Sequence, residues 1–473
     1  RKGALRVAII GAGAGGAGAV QAIRKYIPRH AVHVEVFEAE RRGGGRADTL
    51  VFDGTHYEAG ASMFIAQNKY VSDMAAALGL DREFAANTNM GVWDGSEFVF
   101  RETDFKIVDG LRALWRYGRK LFDIKSWART FVTQFDAVYG LQEERRSFAG
   151  PAQLWDALGM YNYSQYAFGD VVGEDMVESA VGQELVAGIL RNIYNQPLNV
   201  TGLAAALALA PLSVGTEAVW RVPGGNFRLF TEYVDRFADT VVGASCVVAT
   251  RVDAVSDDTD GTYRLDTTDA SGSATTSSSF DVVIIATPLE LARGLRLDGV
   301  AGAIAPKLRE FQRVYVTIVK GVLDPAYFGA GDDQTIHTVL ASNNPDIPWN
   351  SMGTLGTVDA ETSVRLCVMM AKFHSVAPLS KAVLGAMFTS VDDVQVKEWP
   401  GAYPVFKAPE AFAPFELGHG LFYPPALENG CSAMEVLAVA SHNVALMIDA
   451  HFIRGRTSPP SPTEAQPGRH MEL

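Results

Sequence analysis

Cysteine is scarce in this chain, with three in 473 residues: Cys246, Cys367 and Cys431. An odd count cannot complete a disulfide framework. None of the three falls in C-x-x-C spacing, so neither a zinc site nor a dithiol is suggested, and no metal is expected. Long apolar runs are missing too. The best, Val200 to Ala210, stops at Pro211. It is too short for the ~20 residues that cross a bilayer, reads as a buried helix, and leaves no transmembrane span expected. Positive charge is in deficit, with 41 Lys and Arg against 54 Asp and Glu, a net charge of −13. That balance argues against nucleic-acid binding, which needs a basic face. It says little about substrate, because net charge governs solubility rather than sites. The length allows about two to four domains with a large core.

What the chain does have is glycine in one telling place. Val7, Ala8, Ile9 and Ile10 form a buried-strand pattern that runs into Gly11-Ala12-Gly13-Ala14-Gly15-Gly16. The spacing at Gly11, Gly13 and Gly16 is G-x-G-x-x-G. Gly11 allows the tight turn, Gly13 lets a pyrophosphate approach the backbone, and Gly16 lets helix and strand touch. The small-residue helix that follows, with Gly15 in its opening turn, offers its N–H groups to phosphate. A second apolar strand, Val32 to Phe37, ends at Glu38, whose carboxylate can accept both hydroxyls of an adenosine ribose. An acidic residue there selects FAD or NAD over NADP.

Eight residues after Glu38 comes Gly44-Gly45-Arg46, a second phosphate-side element in which Gly45 lies against the dinucleotide and Arg46 neutralises it. This loop, and Tyr57-Glu58-Ala59-Gly60-Ala61-Ser62 after it, resemble flavoproteins of the amine-oxidase superfamily. The resemblance implies that Ala61 and Ser62 pass the flavin. From about Asp81 to Leu209 the apolar spacing turns helical and aromatics become dense. They read either as a helical core or as the wall of a long apolar cavity. Strands are expected at 247–252, where the backbone near Val252 would face adenine, and at 263–265, with 270–279 as a hairpin loop. Phe280 to Ile285 reads as a buried strand ending in the small turn Ala286-Thr287, and in such flavoproteins it rejoins the first sheet. Residues 302–418 look like a sheet in a second, substrate-facing domain. Ser432, Ala433 and Met434 open a last helix whose N-terminus can face the flavin pyrimidine. The tail from Gly455, rich in Pro and Ser, reads as disordered.

The expected fold is α/β: a Rossmann-type FAD-binding domain of the amine-oxidase and glutathione-reductase-like kind with an interleaved α+β substrate domain. The FAD-binding parts are 1–80, 215–300 and 420–454. The substrate domain takes a helical 81–214 and a sheet over 301–419, and the tail is 455–473.

Trp115-Arg116-Tyr117-Gly118, Val222-Pro223-Gly224-Gly225-Asn226, Ile318-Val319-Lys320-Gly321, Ala402-Tyr403-Pro404, Ser432 to Glu435 and Ala440 to Leu446 occur in order along the chain. They resemble stretches of the prenylcysteine oxidase (prenylcysteine lyase) family, a branch of FAD-dependent oxidoreductases. The resemblance implies oxidative cleavage of a prenylcysteine thioether with water and molecular oxygen, giving cysteine, a prenyl aldehyde and hydrogen peroxide. It also implies possible peripheral membrane association. Two sequons, Asn162-Tyr163-Ser164 and Asn199-Val200-Thr201, with a first residue Arg1 that is not Met, suit a lysosomal or secreted protein. Other readings are a flavin oxidase acting on an amine or polyene, and a lipid carrier that has kept the fold without catalysis.

No catalytic side chain is assigned. His442 and Glu435 are weak candidates, seven residues apart on one helical face. A core role for His442 and a capping box of Glu435 with Ser432 are the competing readings. Asn226 and Asn443 could hold a substrate carboxylate or the flavin edge. No His or Cys stands in a recognisable flavinylation context, so FAD is expected to be non-covalent.

Overall fold

A computed structural model describes residues 3–84, 89–103, 105–214, 219–238, 245–258, 260–276, 279–292, 294–300, 304–330, 336–357 and 368–455. Residues 456–473 of the expected tail, and Cys367 with residues 358–366 of the expected second sheet, lie outside these residues.

The apolar run Leu5–Ile10 is the centre of a six-stranded sheet. Its order is Ser245–Val247, Val32–Phe37, Leu5–Ile10, Val282–Ile285, Leu421–Phe422 and Glu416–Gly418. The first five run parallel and the last turns back antiparallel. Strands buried on both faces need no polar alternation, and Val282–Ile285 is fully buried. As expected, that segment rejoins the first sheet, pairing Val7 with Val282 through Ile10 with Ile285.

The helix Ala14–Tyr26 packs on this sheet, and the last helix, Met434–Ile448, packs on that helix. Small residues set the distance: a Cβ at Gly18 would lie 2.9 Å from the Ala438 Cα. With its continuation to Arg454 the last helix is long and apolar enough to cross a membrane by length and composition, a property not expected from the sequence. Here Val436 to Ile448 are buried in the protein core.

A second sheet of seven strands stands opposite, in the order Phe388–Pro404, Phe311–Leu323, Met369–Ser375, Ser351–Thr357, Thr338–Ala341, Met90–Trp93 and Phe98–Arg101. The last two correct the all-helical expectation for 81–209. They are a hairpin of short β-prone runs that helical periodicity on either side conceals. The loop expected over 270–279 is also shorter, because Ala274–Thr276 pairs with Tyr263–Asp269. Helices between Lys106 and Leu209 form a third layer with its own apolar core around Phe168, Leu190 and Tyr194.

Candidate functional site

One cavity of about 1020 Å³ runs between the two large sheets. That is the upper end of the ~300–1,000 Å³ usual for a small-molecule or cofactor site. Gly11, Gly13, Gly15, Glu38, Gly45, Arg46, Ala61, Val252, Ala286, Thr287, Ser432, Ala433 and Met434 all line it. Gly16 and Ser62 do not. Gly16 lies beneath the turn, where a Cβ would stand 1.9 Å from the Gly11 carbonyl oxygen. Ser62 donates to the Gly60 carbonyl at 2.8 Å and accepts from Lys372 at 3.0 Å.

Two helix N-termini open on this cavity. The first begins after Gly13 and the last after Ala433, and neither has a side-chain cap. Each therefore presents backbone N–H groups and the positive end of a dipole to whatever lies there. Gly11 takes φ +103°, which only glycine adopts without strain, and its N–H donates to Phe37 O at 2.7 Å. Gly13 and Gly45 face each other closely enough that a Cβ on Gly13 would lie 3.4 Å from the Gly45 Cα. Side chains on this pair would fill the gap that a pyrophosphate needs.

The Glu38 carboxylate is buried and accepts from the N–H of Ala12 at 2.8 Å and of Glu40 at 2.9 Å. Burial raises its pKa above the ordinary carboxylate value, against those two donors. Each oxygen keeps a second lone pair for a hydroxyl. Arg46 departs from expectation. Its guanidinium donates to the Ala402 carbonyl at 2.8 Å and pairs with the buried Glu428. That carboxylate already compensates its charge, so it is not held in reserve for a phosphate. Glu428 also accepts from Ser432 Oγ at 2.6 Å, which ties the start of the last helix to the Gly-Gly-Arg loop.

The two weak catalytic candidates are both structural. Glu435 makes no capping box, because Ser432 is committed to Glu428. Its Oε1 accepts from Tyr70 N–H and from the Tyr139 hydroxyl, each at 2.8 Å, and its Oε2 from Val71 N–H at 2.9 Å. It thereby caps the helix Lys69–Leu78 across the fold. His442 is fully buried away from the cavity. It stacks on Tyr70 at 3.5 Å between centroids, with Nε2 3.0 Å from Gln21 Oε1 and Nδ1 3.2 Å from Tyr26 Oη. Burial holds it neutral, far below the usual imidazole pKa. The two amides are also engaged. Asn443 exchanges both bonds with the Phe148 backbone, and Asn226 bridges Val222 N–H and Ala61 O.

Sequence reasoning missed the far wall. Val314, Val316, His374, Trp399 and Tyr403 reach the cavity from three adjacent strands of the seven-stranded sheet. Their alternation along Phe311–Leu323 was a usable signal, but pairing to 388–404 was not readable locally. Trp399 Nε1 donates to Ala59 O at 2.6 Å, which leaves its ring as an apolar surface. His374 Nδ1 is 3.0 Å from Ser351 Oγ. Desolvation and nearby Lys372 push its pKa down to about 3, so it is a neutral polar contact and a poor base. Of the helical layer, only Ile193 and Asn195 line the cavity among the described residues. Phe131, Trp155 and Phe168 are core, in favour of the helical-core reading. The arrangement is therefore a cradle for a dinucleotide on one side and a mostly apolar wall on the other.

A family model described as prenylcysteine lyase matches residues 100–458, and one described as NAD(P)-binding Rossmann-like domain matches 9–78. Prenylcysteine oxidase 1 of Homo sapiens is 28% identical over 460 residues, 93% of this chain and 88% of that protein. Farnesylcysteine lyase of Arabidopsis thaliana is 28% identical over 471 residues, 94% of this chain and 88% of that protein. Among solved structures, putrescine oxidase bound to putrescine superposes with a TM-score of 0.62 at 15% identity, covering 94% of this chain and 99% of that one. Cyclohexylamine oxidase from Brevibacterium oxydans gives 0.57 at 14%, covering 95% and 99%. These likenesses carry the fold.

Proposed function

The chain belongs to the prenylcysteine lyase family, and from that premise we propose that it is an FAD-dependent oxidase cleaving the thioether of a prenylcysteine such as farnesylcysteine. The observation that carries this reading is the single cavity that joins the glycine turn and Glu38 to the apolar wall of Val314, Val316 and Trp399. FAD, when bound, supplies the hydride acceptor and returns the electrons to oxygen. The chain's residues hold and exclude. The turn at Gly11 to Gly15 would receive the pyrophosphate on backbone N–H groups, and Glu38 the ribose. The start of the last helix, Ser432 to Met434, would place positive dipole at the pyrimidine edge. The far wall would align the allylic carbon next to sulfur and keep bulk water away from it. That carbon suits the chemistry, because sulfur and the double bond both stabilise positive charge on it. Water entering there gives a hemithioacetal, which collapses to aldehyde and cysteine.

Non-covalent FAD is part of the proposal. Cys431 is buried, and burial pushes its thiol well above the ordinary value, which leaves it unreactive. Acid precipitation is expected to release the flavin into the supernatant.

Anaerobic mixing with farnesylcysteine is expected to bleach the flavin band at about 450 nm, and oxygen then to restore it with one peroxide per turnover. Bleaching by amines alone would replace this reading with that of an amine oxidase. Binding of prenylcysteine without bleaching would replace it with that of a lipid carrier.

Glu38→Ala removes a charged acceptor worth ~1.5–3 kcal/mol, so FAD affinity is expected to fall about ten- to hundredfold. Flavin content after purification and fluorescence titration measure it. A variant that retains full flavin at unchanged affinity would remove Glu38 from the ribose.

A further inference from the structure

Asn195 ends the helix Ala187–Tyr194 in the left-handed conformation, with φ +53° and its N–H bonded to the Arg191 carbonyl at 3.1 Å. Glycine and asparagine both suit such a cap. Asparagine brings an amide as well, and a series of hydrogen bonds orients it here. Arg191 can only donate. Its Nε takes Asn350 Oδ1 at 2.8 Å. Asn350 therefore turns its Nδ2 to Asn195 Oδ1, at 2.6 Å. That bond engages the acceptor end of Asn195, and its Nδ2 has no protein partner among the described residues. The side chain lines the cavity, so what it offers there is a pair of N–H donors. His374 stands beside it, because the Asn350 N–H donates to the His374 carbonyl at 2.7 Å.

The charge behind this donor identifies what it takes. The Arg191 guanidinium is otherwise satisfied by neutral carbonyls: Ser342 O, Asn344 O at 2.9 Å, and Ile347 O and Trp349 O at 3.5 Å. Burial lowers its pKa, and no carboxylate acts against that. Its charge polarises the two amides in series and strengthens the last donor. Lys372, which also acts on His374, is offset by Glu58. The acidic side chains that line the cavity, Glu38, Glu40, Asp269 and Glu290, make no bond to Asn195, Asn350 or Arg191 among the described residues. A donor corner under a positive field, in a mostly apolar chamber, is complementary to a carboxylate on a lipid-like molecule. In a prenylcysteine the α-carboxylate is the one anionic group, and Arg191 would repel the ammonium. We propose that Asn195 binds the α-carboxylate of the substrate's cysteine, so that this chain selects free S-prenyl amino acids over their esters. The inference rests on the prenylcysteine reading and adds the residue that anchors the polar end of that substrate.

The test uses a ligand that binds without reacting. S-dodecyl-L-cysteine keeps the amino-acid head and an apolar chain but has no allylic carbon to oxidise. Titration calorimetry of the cofactor-containing full chain with this acid and with its methyl ester measures the preference. Wild type is expected to bind the acid at least about tenfold more tightly than the ester. Asn195→Gly keeps the left-handed cap, so flavin content and flavin spectrum should be unchanged while the preference disappears. Asn195→Asp still accepts from Asn350 but puts a carboxylate where the donor was, and should bind the ester better than the acid. Equal binding of acid and ester by wild type, or an Asn195→Gly protein that keeps the wild-type preference, overturns the proposal. A changed flavin spectrum in ligand-free Asn195→Gly also overturns it, since the amide would then face the cofactor. Acid preference in a protein whose flavin farnesylcysteine does not bleach upholds the anchor and removes only the oxidase reading.

Discussion

Gly16→Ala is expected to abolish flavin retention and to leave the chain largely unfolded or aggregated on expression. The added Cβ would lie 1.9 Å from the Gly11 carbonyl oxygen and 3.0 Å from its carbon. Both neighbours are backbone, so no rotamer change relieves the clash. Gly11 cannot retreat easily, because its φ of +103° and its hydrogen bond to Phe37 O fix the turn between two central strands. The helix Ala14–Tyr26 would have to lift from the sheet, and it carries the last helix on its other side. A forced separation in a core of this kind costs more than about 4 kcal/mol, against a total of about 5–15 kcal/mol for a typical protein. Gly140→Ala is the matched control. It lies inside the helix Lys120–Glu143, and a Cβ there meets nothing within 4 Å. It should be neutral or stabilise by up to ~1 kcal/mol. Thermal unfolding and flavin content of the two variants decide it. A Gly16→Ala protein with wild-type flavin content would refute the close helix–strand contact.

The parts of the site that could be read from the sequence are those whose physics is local. The turn at Gly11 to Gly16, the strand before it and Glu38 after it occupy one continuous stretch, and each residue type answers a nearby backbone requirement. The same holds for Phe280 to Thr287, where an unbroken apolar run ending in small residues signals a strand of the parallel sheet. Partners distant along the chain behaved differently. Arg46 looks like a phosphate ligand in its loop, but Glu428 takes its charge from the far end of the sequence. Glu435 sits at capping-box spacing from Ser432, yet both side chains bond elsewhere. His442 looks available on a helical face, and the aromatic ring of Tyr70 closes that face. The far wall of the cavity depends on the pairing of Phe311–Leu323 with Phe388–Pro404. No spacing rule reports which of several distant strands will be neighbours.

The start of the last helix brings a ligand surface and a structural carboxylate within three residues, and the carboxylate yields the second large effect. Glu435→Ala is expected to destabilise the protein by about 3 kcal/mol at neutral pH, since the N–H groups of Tyr70 and Val71 and the Tyr139 hydroxyl lose their buried acceptor. Flavin spectra of the variant that still folds should be unchanged in shape, because Glu435 does not line the cavity. Its ionisation adds a pH signature. Burial pushes its pKa up to about 7 from 4.5, and the three donors keep it from rising further. The folded state therefore binds this proton more tightly than the unfolded state. The sign follows: the contribution to stability is full below about pH 4.5 and is lost as pH rises through about 7, a change of roughly 3 kcal/mol. Glu58 and Glu410 are also raised to about 7 by burial and tilt the wild-type curve the same way. Only the difference from Glu435→Gln isolates this residue. Wild type should outlast the Gln variant most clearly at about pH 4, and the gap should narrow by about pH 8. Denaturant unfolding of both proteins across that range measures it. Parallel curves would mean that the carboxylate stays ionised throughout, with the three donors outweighing burial at the N-terminus of the helix Lys69–Leu78.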